Sequence, residues 1–218
     1  KIFIMKKKIL VTGGDGRFAK ILKKNNKKLD LFFVSKKKCN ILNLSSISKT
    51  IKKIKPKILI HCAGLSRPMN IHNKNISRSI DLNIIGTANI TKMCKKHNIK
   101  LIQDAAHSMG AKFENKQTHH FAHYTCYSLQ AIKHVTSGDG GLLVVNTNEK
   151  DFKRAKSLKW FGIDREASKD EKGEWKGQRW DMDVVEAGFK FHMNNISATI
   201  GLSQIPHIDS IVETHINN

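Results

Sequence analysis

No apolar run in this chain approaches the roughly 20 residues needed to span a bilayer, so no membrane partner is expected. The opening Lys1-Ile2-Phe3-Ile4-Met5-Lys6-Lys7-Lys8 has its basic residues after a short apolar run and no small-residue cleavage site, which speaks against a signal peptide and makes Met5 a candidate start. Cysteine is sparse too. Cys39, Cys62, Cys94 and Cys126 are scattered without a C-x-x-C pair, which fits reduced thiols in a cytoplasmic protein better than a disulfide framework or a zinc site. The 218 residues suffice for one large or two small domains with a real core.

Acids are nearly missing from one half. Residues 1–102 hold three (Asp15, Asp30 and Asp81) against 25 lysines and arginines, for +22. Residues 103–218 hold 15 acids against 14 bases, for −1, and the whole chain carries +21. Such asymmetry can mark a nucleic-acid-binding region. Here the bases are almost all lysine, in a segment equally rich in Ile and Asn, as an AT-rich coding sequence produces. A solvated lysine-rich face is the simpler reading, and no specific nucleic-acid partner is expected.

The first half alternates strand and helix signals. The run 8–12 reads as a buried strand, Gly13-Gly14-Asp15-Gly16 as a tight turn, and Phe18 to Lys24 as the start of a helix. A second strand is expected over 29–34, an amphipathic helix over 47–54, a third strand over 58–63 and a long helix over 77–97. This βαβαβα order implies a parallel sheet with crossover helices. Glycines in the first turn let the backbone approach a pyrophosphate, and the following helix N-terminus offers it free N–H groups. With Ile60-His61-Cys62-Ala63-Gly64 and Asp81-Leu82-Asn83-Ile84-Ile85-Gly86-Thr87-Ala88-Asn89, the turn resembles the nucleotide-sugar epimerase and reductase branch of the extended short-chain dehydrogenases, over about residues 7–102. The resemblance implies NAD(P) binding at Gly13, Gly14 and Gly16. Ala19 stands where a glycine is usual, and Asn40 lies near where an acid often reads the adenine. The catalytic tyrosine four residues before a lysine is missing: the two tyrosines, Tyr124 and Tyr127, are followed at that spacing by Ser128 and Ala131.

The second half is organised around residues 104–141. A pyridoxal enzyme needs a lysine to bond the cofactor, a carboxylate to keep the pyridine nitrogen protonated and a donor for the phosphate; Lys133, Asp104 and Ser128 are those three chemistries. The segments Asp-Ala-Ala-His-Ser-Met-Gly-Ala (104–111), Ser-Leu-Gln-Ala-Ile-Lys-His-Val-Thr-Ser-Gly-Asp-Gly-Gly (128–141), Trp-Phe-Gly-Ile-Asp-Arg (160–165) and Gly-Phe-Lys-Phe-His-Met-Asn-Asn-Ile-Ser-Ala-Thr-Ile-Gly-Leu (188–202) resemble, in this order, the DegT/StrS-type sugar aminotransferases. That resemblance implies that Lys133 carries pyridoxal 5′-phosphate, Asp104 pairs with the ring nitrogen, His107 lies beside the ring and Ser128 binds the phosphate. It also implies a nucleotide-sugar substrate, an amino-acid amine donor and a homodimer with shared sites. Lys190 stands where an asparagine usually reaches the neighbouring subunit's phosphate, and His192 where an arginine is usual; packing roles serve both equally well. The family's upstream loop and helix start and its downstream small domain have no counterpart, so a chimera joined near 95–102 is the simplest account.

His119, His120 and His123 have no carboxylate or cysteine at ligand spacing and read as a loop entering the strand 125–128, with no metal site expected. Trp160, Trp175 and Trp180 read as local packing rather than a stacking platform. The expected fold is α/β: a partial Rossmann-like parallel sheet (residues 1–102) followed by the central part of a fold-type-I pyridoxal enzyme's large domain (residues 103–218). The expected function is transamination of a keto nucleotide sugar. The alternatives are an NAD(P)-dependent nucleotide-sugar oxidoreductase and a non-catalytic module that binds nucleotide or polyanion.

Overall fold

Alternation along the first strand sets the architecture of the first half. A computed structural model describes residues 7–66, 68, 70–167, 169–177 and 182–218, so Met5 and Trp180 lie outside the described residues. It divides into two compact units, Lys1–Leu101 and Ile102–Asn218. The first runs β1 (Lys8–Thr12), α1 (Arg17–Asn25), β2 (Asp30–Val34), α2 (Leu44–Ile54), β3 (Ile58–His61), α3 (Asn70–Lys74), α4 (Ile76–Ile80) and α5 (Gly86–Lys96). Its sheet is parallel in the order β2-β1-β3. Leu10 faces a core built with Ile47 and Ile51 of α2 and Ile90, Met93 and Cys94 of α5. Ile9 and Val11 point the other way, onto Ala19 of α1. Period-two alternation thus demands helices on both faces, each fully buried aliphatic side chain contributing about 1.5–3 kcal/mol.

The helix expected over 77–97 is interrupted. Between α4 and α5, Asp81–Ile85 forms a π-helical turn. Asn83 explains its position: its Oδ1 accepts from Leu65 N at 2.7 Å and its Nδ2 donates to Leu65 O at 2.9 Å. One turn on, Gly86 lies so close to Ile41 that an added Cβ would stand 2.5 Å from its Cδ1. Wide turns of this kind commonly re-aim side chains within helices. α2 starts at Asn43, whose side chain accepts from Ser46 N at 2.9 Å, and ends at Lys55 in a left-handed conformation just before Pro56.

The second unit contains β4 (Ile102–Asp104), β5 (Lys112–Phe113), β6 (Lys116–Gln117), β7 (Tyr124–Ser128), β8 (Gly141–Val145), α6 (Glu149–Leu158), α7 (Asn195–Gln204) and α8 (Ile208–Asn217). β4 pairs parallel with β7, setting Asp104 opposite Cys126, and β8 pairs antiparallel on β7's other side. β5 and β6 form a hairpin whose two turn residues, Glu114 and Asn115, both have positive φ, as two-residue turns matching strand twist require. Ala105, Thr125, Tyr127, Leu129 and Val135 are buried, whereas Leu142, Leu143 and Phe191 are exposed.

Candidate functional site

Parallel pairing brings the carboxyl ends of β4 and β7 side by side, and Asp104 and Ser128 are the last residues of those strands. Both border a cavity of about 410 Å³, with Ala106, Cys126 and Gly140 among its other lining residues. Asp104 Oδ1 accepts from Ala106 N at 3.1 Å, which fixes the carboxylate at the start of the turn leaving β4. Burial, and secondarily the Asp104 carboxylate, push the Cys126 thiol above its ordinary range.

After β7 the chain folds back on itself. Leu129 N donates to Gly140 O and Ser137 N to Leu129 O, each at 2.9 Å, and buried Ser137 donates its Oγ to Asp139 O at 2.8 Å. The closed loop carries half-buried Lys133, whose Nζ lies 2.8 Å from His107 Nε2. His107 sits in the turn three residues after Asp104, so this bond ties the loop after β7 to the turn after β4. Lys133 and His107 do not line the Asp104–Ser128 cavity; His107 follows its lining residue Ala106 in the turn after β4, and Lys133 reaches that turn from the loop after β7. Gly140, at φ +134°, holds a backbone conformation that strains any other residue, and a Cβ there would stand 2.9 Å from Met193 Cε and 3.1 Å from Ser137 Oγ. Sequence reasoning missed His134, whose ring meets His215 edge-on at 4.8 Å. Burial lowers its pKa, as do His215, His107 and Lys133. Its place beside Lys133 in the chain was the available signal.

The glycine turn of the first unit is tight. Gly13 has φ +68°, and a Cβ there would lie 2.7 Å from Cys62 O and 2.8 Å from Ala63 Cα, so the turn packs directly on the end of β3. Gly14 N donates to Val34 O at 2.9 Å and Gly16 N to Gly13 O at 2.8 Å. Gly16 caps α1 without a side chain, leaving the first-turn amides open. Beneath the turn, buried Thr12 sits 2.8 Å from His61 Nδ1, while His61 Nε2 lies 3.2 Å from Thr87 Oγ1; burial lowers the His61 pKa. Ala19 is fully buried under Ile9 and Val11, which explains a small residue there. Asn40 is held locally, its Oδ1 accepting from Leu42 N at 3.1 Å.

The remaining sequence candidates occupy packing positions. Trp160 stacks edge-on against His192 at 3.8 Å, and Lys190 bridges to Trp160 through the backbone. Arg165 lies over both Trp160 and Trp175. The His119 ring lies tilted at 37° to that of His120, with centres 4.5 Å apart, and its Nδ1 lies 3.3 Å from the Tyr127 hydroxyl. Among the described residues no helix is long and apolar enough to cross a membrane.

Two families match the chain, over ranges that overlap at residues 80–118. The model of the DegT/DnrJ/EryC1/StrS aminotransferase family matches residues 80–218, and that of the RmlD substrate binding domain matches residues 6–118. An uncharacterized protein of Methanocaldococcus jannaschii is 34% identical over 116 residues, covering 53% of this chain and 29% of that protein. The UDP-4-amino-4,6-dideoxy-N-acetyl-beta-L-altrosamine transaminase of Helicobacter pylori is 31% identical over 116 residues, covering 53% of this chain and 28% of the transaminase. The matched segment therefore covers under a third of the length of these relatives. Among solved structures, Helicobacter pylori PseC, an aminotransferase involved in pseudoaminic acid biosynthesis, shares the fold with a TM-score of 0.57 at 20% identity, over 96% of this chain and 48% of PseC.

Proposed function

The chain belongs to the DegT/DnrJ/EryC1/StrS aminotransferase family over residues 80–218 and to the RmlD substrate binding domain family over residues 6–118, and from that premise we propose that its chemistry is amino transfer to a keto nucleotide sugar, centred on Lys133. The aminotransferase family depends on pyridoxal phosphate. When bound, that cofactor supplies an aldehyde that takes an amine and a ring that draws electrons from the carbon bearing it. The residues present fit it: a carboxylate and a hydroxyl border one cavity, and the bare Gly140 backbone forms part of its wall.

In this reading Asp104 would hold a proton on the ring nitrogen, Ser128 would donate to the phosphate, and Lys133 Nζ would be the amine that holds the cofactor and moves a proton at the substrate carbon. His107 positions that amine. The observation carrying the reading is the Lys133–His107 bond of 2.8 Å, which sets the lysine at the turn beginning with Asp104. The domain division at 102/103 and a homodimer with shared sites belong to the same proposal.

A second reading, NAD(P) binding at Gly13, Gly14 and Gly16, is favoured by the left-handed Gly13 and the open first turn of α1. It concerns binding rather than hydride transfer, because no tyrosine precedes a lysine by four residues. Both readings meet one experiment: assay amino transfer from glutamate to a keto nucleotide sugar with pyridoxal phosphate, and NADH oxidation on the same substrate. Amino transfer above that of Lys133→Ala is expected, with no NADH oxidation. The rate should be low in a chain whose matched segment covers under a third of its relatives' length, because misplacing reacting groups by about 1 Å costs roughly a hundredfold. NADH oxidation, with amino transfer no different in Lys133→Ala, contradicts the proposal.

A further inference from the structure

The last helix of the chain ties two turns together. Ile208, Ile211 and Val212 of α8 are half-buried, and with His215 they recur at the three- and four-residue spacing that keeps one face of a helix toward its neighbours. Val212 lies against Gly110 in the turn leaving β4, so close that an added Cβ at Gly110 would stand 2.5 Å from Val212 Cγ2. One turn on, His215 meets His134 in the loop after β7, the rings edge-on with centres 4.8 Å apart. These are the two turns already joined by Lys133 and His107, whose Nζ and Nε2 are 2.8 Å apart. α8 therefore spans that joint as a clasp.

A titratable group sits at the contact. His134 Nδ1 is buried and has no hydrogen-bond partner among the described residues. A neutral imidazole can leave one nitrogen as a bare acceptor at modest cost, whereas an imidazolium needs acceptors for two N–H groups, and a buried cation lacking one is penalised far more heavily. The groups that face the ring add to this. His215 comes from α8, His107 from the turn after β4 and Lys133 from the ring's own loop; after burial, each of them lowers the His134 pKa. Asp139, the loop's carboxylate, is exposed and accepts from the Gly140 amide at 2.8 Å. α7 packs on the loop at Gly201, where a Cβ would lie 3.4 Å from Ser137 Cβ, and it carries no titratable side chain. The α8 carboxylates, Asp209 and Glu213, are exposed and fall off the face that carries His215.

We propose that α8 is a pH-dependent clasp, docked on the turns after β4 and β7 while His134 is neutral and released when His134 takes a proton. Proton linkage sets the direction. With α8 released, water reaches the ring and the proton is taken at the ordinary 6.5; with α8 docked, it is taken only at lower pH. Docking is therefore at full strength above pH 6.5 and weakens as pH falls below it. Acid frees the loop that carries Lys133 and leaves the sheet beneath it folded. None of this requires Lys133 to hold a cofactor, so the clasp and the amino-transfer reading stand or fall separately.

The test is hydrogen exchange of the intact chain at about pH 7.5 and about pH 5.5, read by mass spectrometry on the peptide covering α8 with intrinsic exchange rates divided out. One unit below 6.5, a single proton shifts an opening equilibrium by at most about tenfold, so protection of α8 should fall about two- to tenfold. Protection of α6 should stay the same. His134→Phe keeps a ring at the contact that cannot take a proton, and it should remove the pH dependence. His215→Phe, at an exposed position, should reduce it and keeps the test open should His134→Phe fail to fold, which circular dichroism reports. Equal protection of α8 at the two pH values overturns the proposal, as does an equal loss in α6 or a pH dependence undiminished in the folded variants.

Discussion

Gly162 and Gly138 have nearly the same backbone conformation, φ +82° and +80°, in very different surroundings. Replacing either with alanine places a Cβ in the left-handed region, at about 1–2 kcal/mol. At Gly138 nothing lies within 4 Å of that Cβ, so the conformational penalty is the whole cost. At Gly162 the Cβ would come within 2.8 Å of the Glu186 carbonyl carbon and 3.2 Å of Gly188 N, with the Glu186 oxygen closer still. The obstacle is backbone, pinned by Val185 N donating to Gly162 O at 3.1 Å and Phe189 N donating to Leu158 O at 2.7 Å, so it cannot swing aside as a flexible side chain would. Overpacking adds roughly 1–3 kcal/mol, for a total of about 2–5 kcal/mol against a typical stability of about 5–15. Urea unfolding followed by tryptophan fluorescence reports on this unit, because Trp160, Trp175 and Trp180 all lie within 102–218. Gly162→Ala should lower the midpoint at least twice as far as Gly138→Ala, with unchanged slope. Equal shifts would refute the close approach of the 162 and 188 backbones.

Replacing Asp104 with Ala should weaken pyridoxal phosphate retention and abolish amino transfer, because an unprotonated ring is a poor electron sink; dialysis and the transfer assay check this. Burial raises the Cys94 thiol to about 11 from an ordinary 9.0. Because the folded pKa is the higher one, this group's contribution is complete below pH 9 and is lost as pH rises from 9 towards 11, where the unfolded thiol ionises first. Thermal melts of parent and Cys94→Ala should therefore converge across that window, and parallel pH profiles would contradict it.

How much the sequence reveals depends on whether a feature is local. The β1–turn–α1 unit is legible because a β-rich apolar run, three glycines and an amphipathic stretch each act over a few residues; the helix starts within one residue of its expected position. The π-helical turn was not legible. It arises because Asn83 grips Leu65 and Gly86 meets Ile41, contacts across 18 and 45 residues of chain. Asp104, Ser128, Lys133 and His107 could be named from residue type and motif order, but the Lys133–His107 bond depends on the fold-back of residues 129–140, which no periodicity announces. The same holds for Gly162 and Gly188, each visible as a motif glycine although their mutual approach is purely tertiary.

The central claim places the reactive amine on Lys133, and reductive trapping tests it most directly. Purified chain is incubated with pyridoxal phosphate, its absorbance is recorded, and the adduct is fixed with borohydride and located by peptide mass spectrometry. The claim expects a yellow species that Lys133→Ala lacks and a single dominant label on Lys133. A label spread over the many lysines of residues 1–102, or one undiminished in Lys133→Ala, contradicts it.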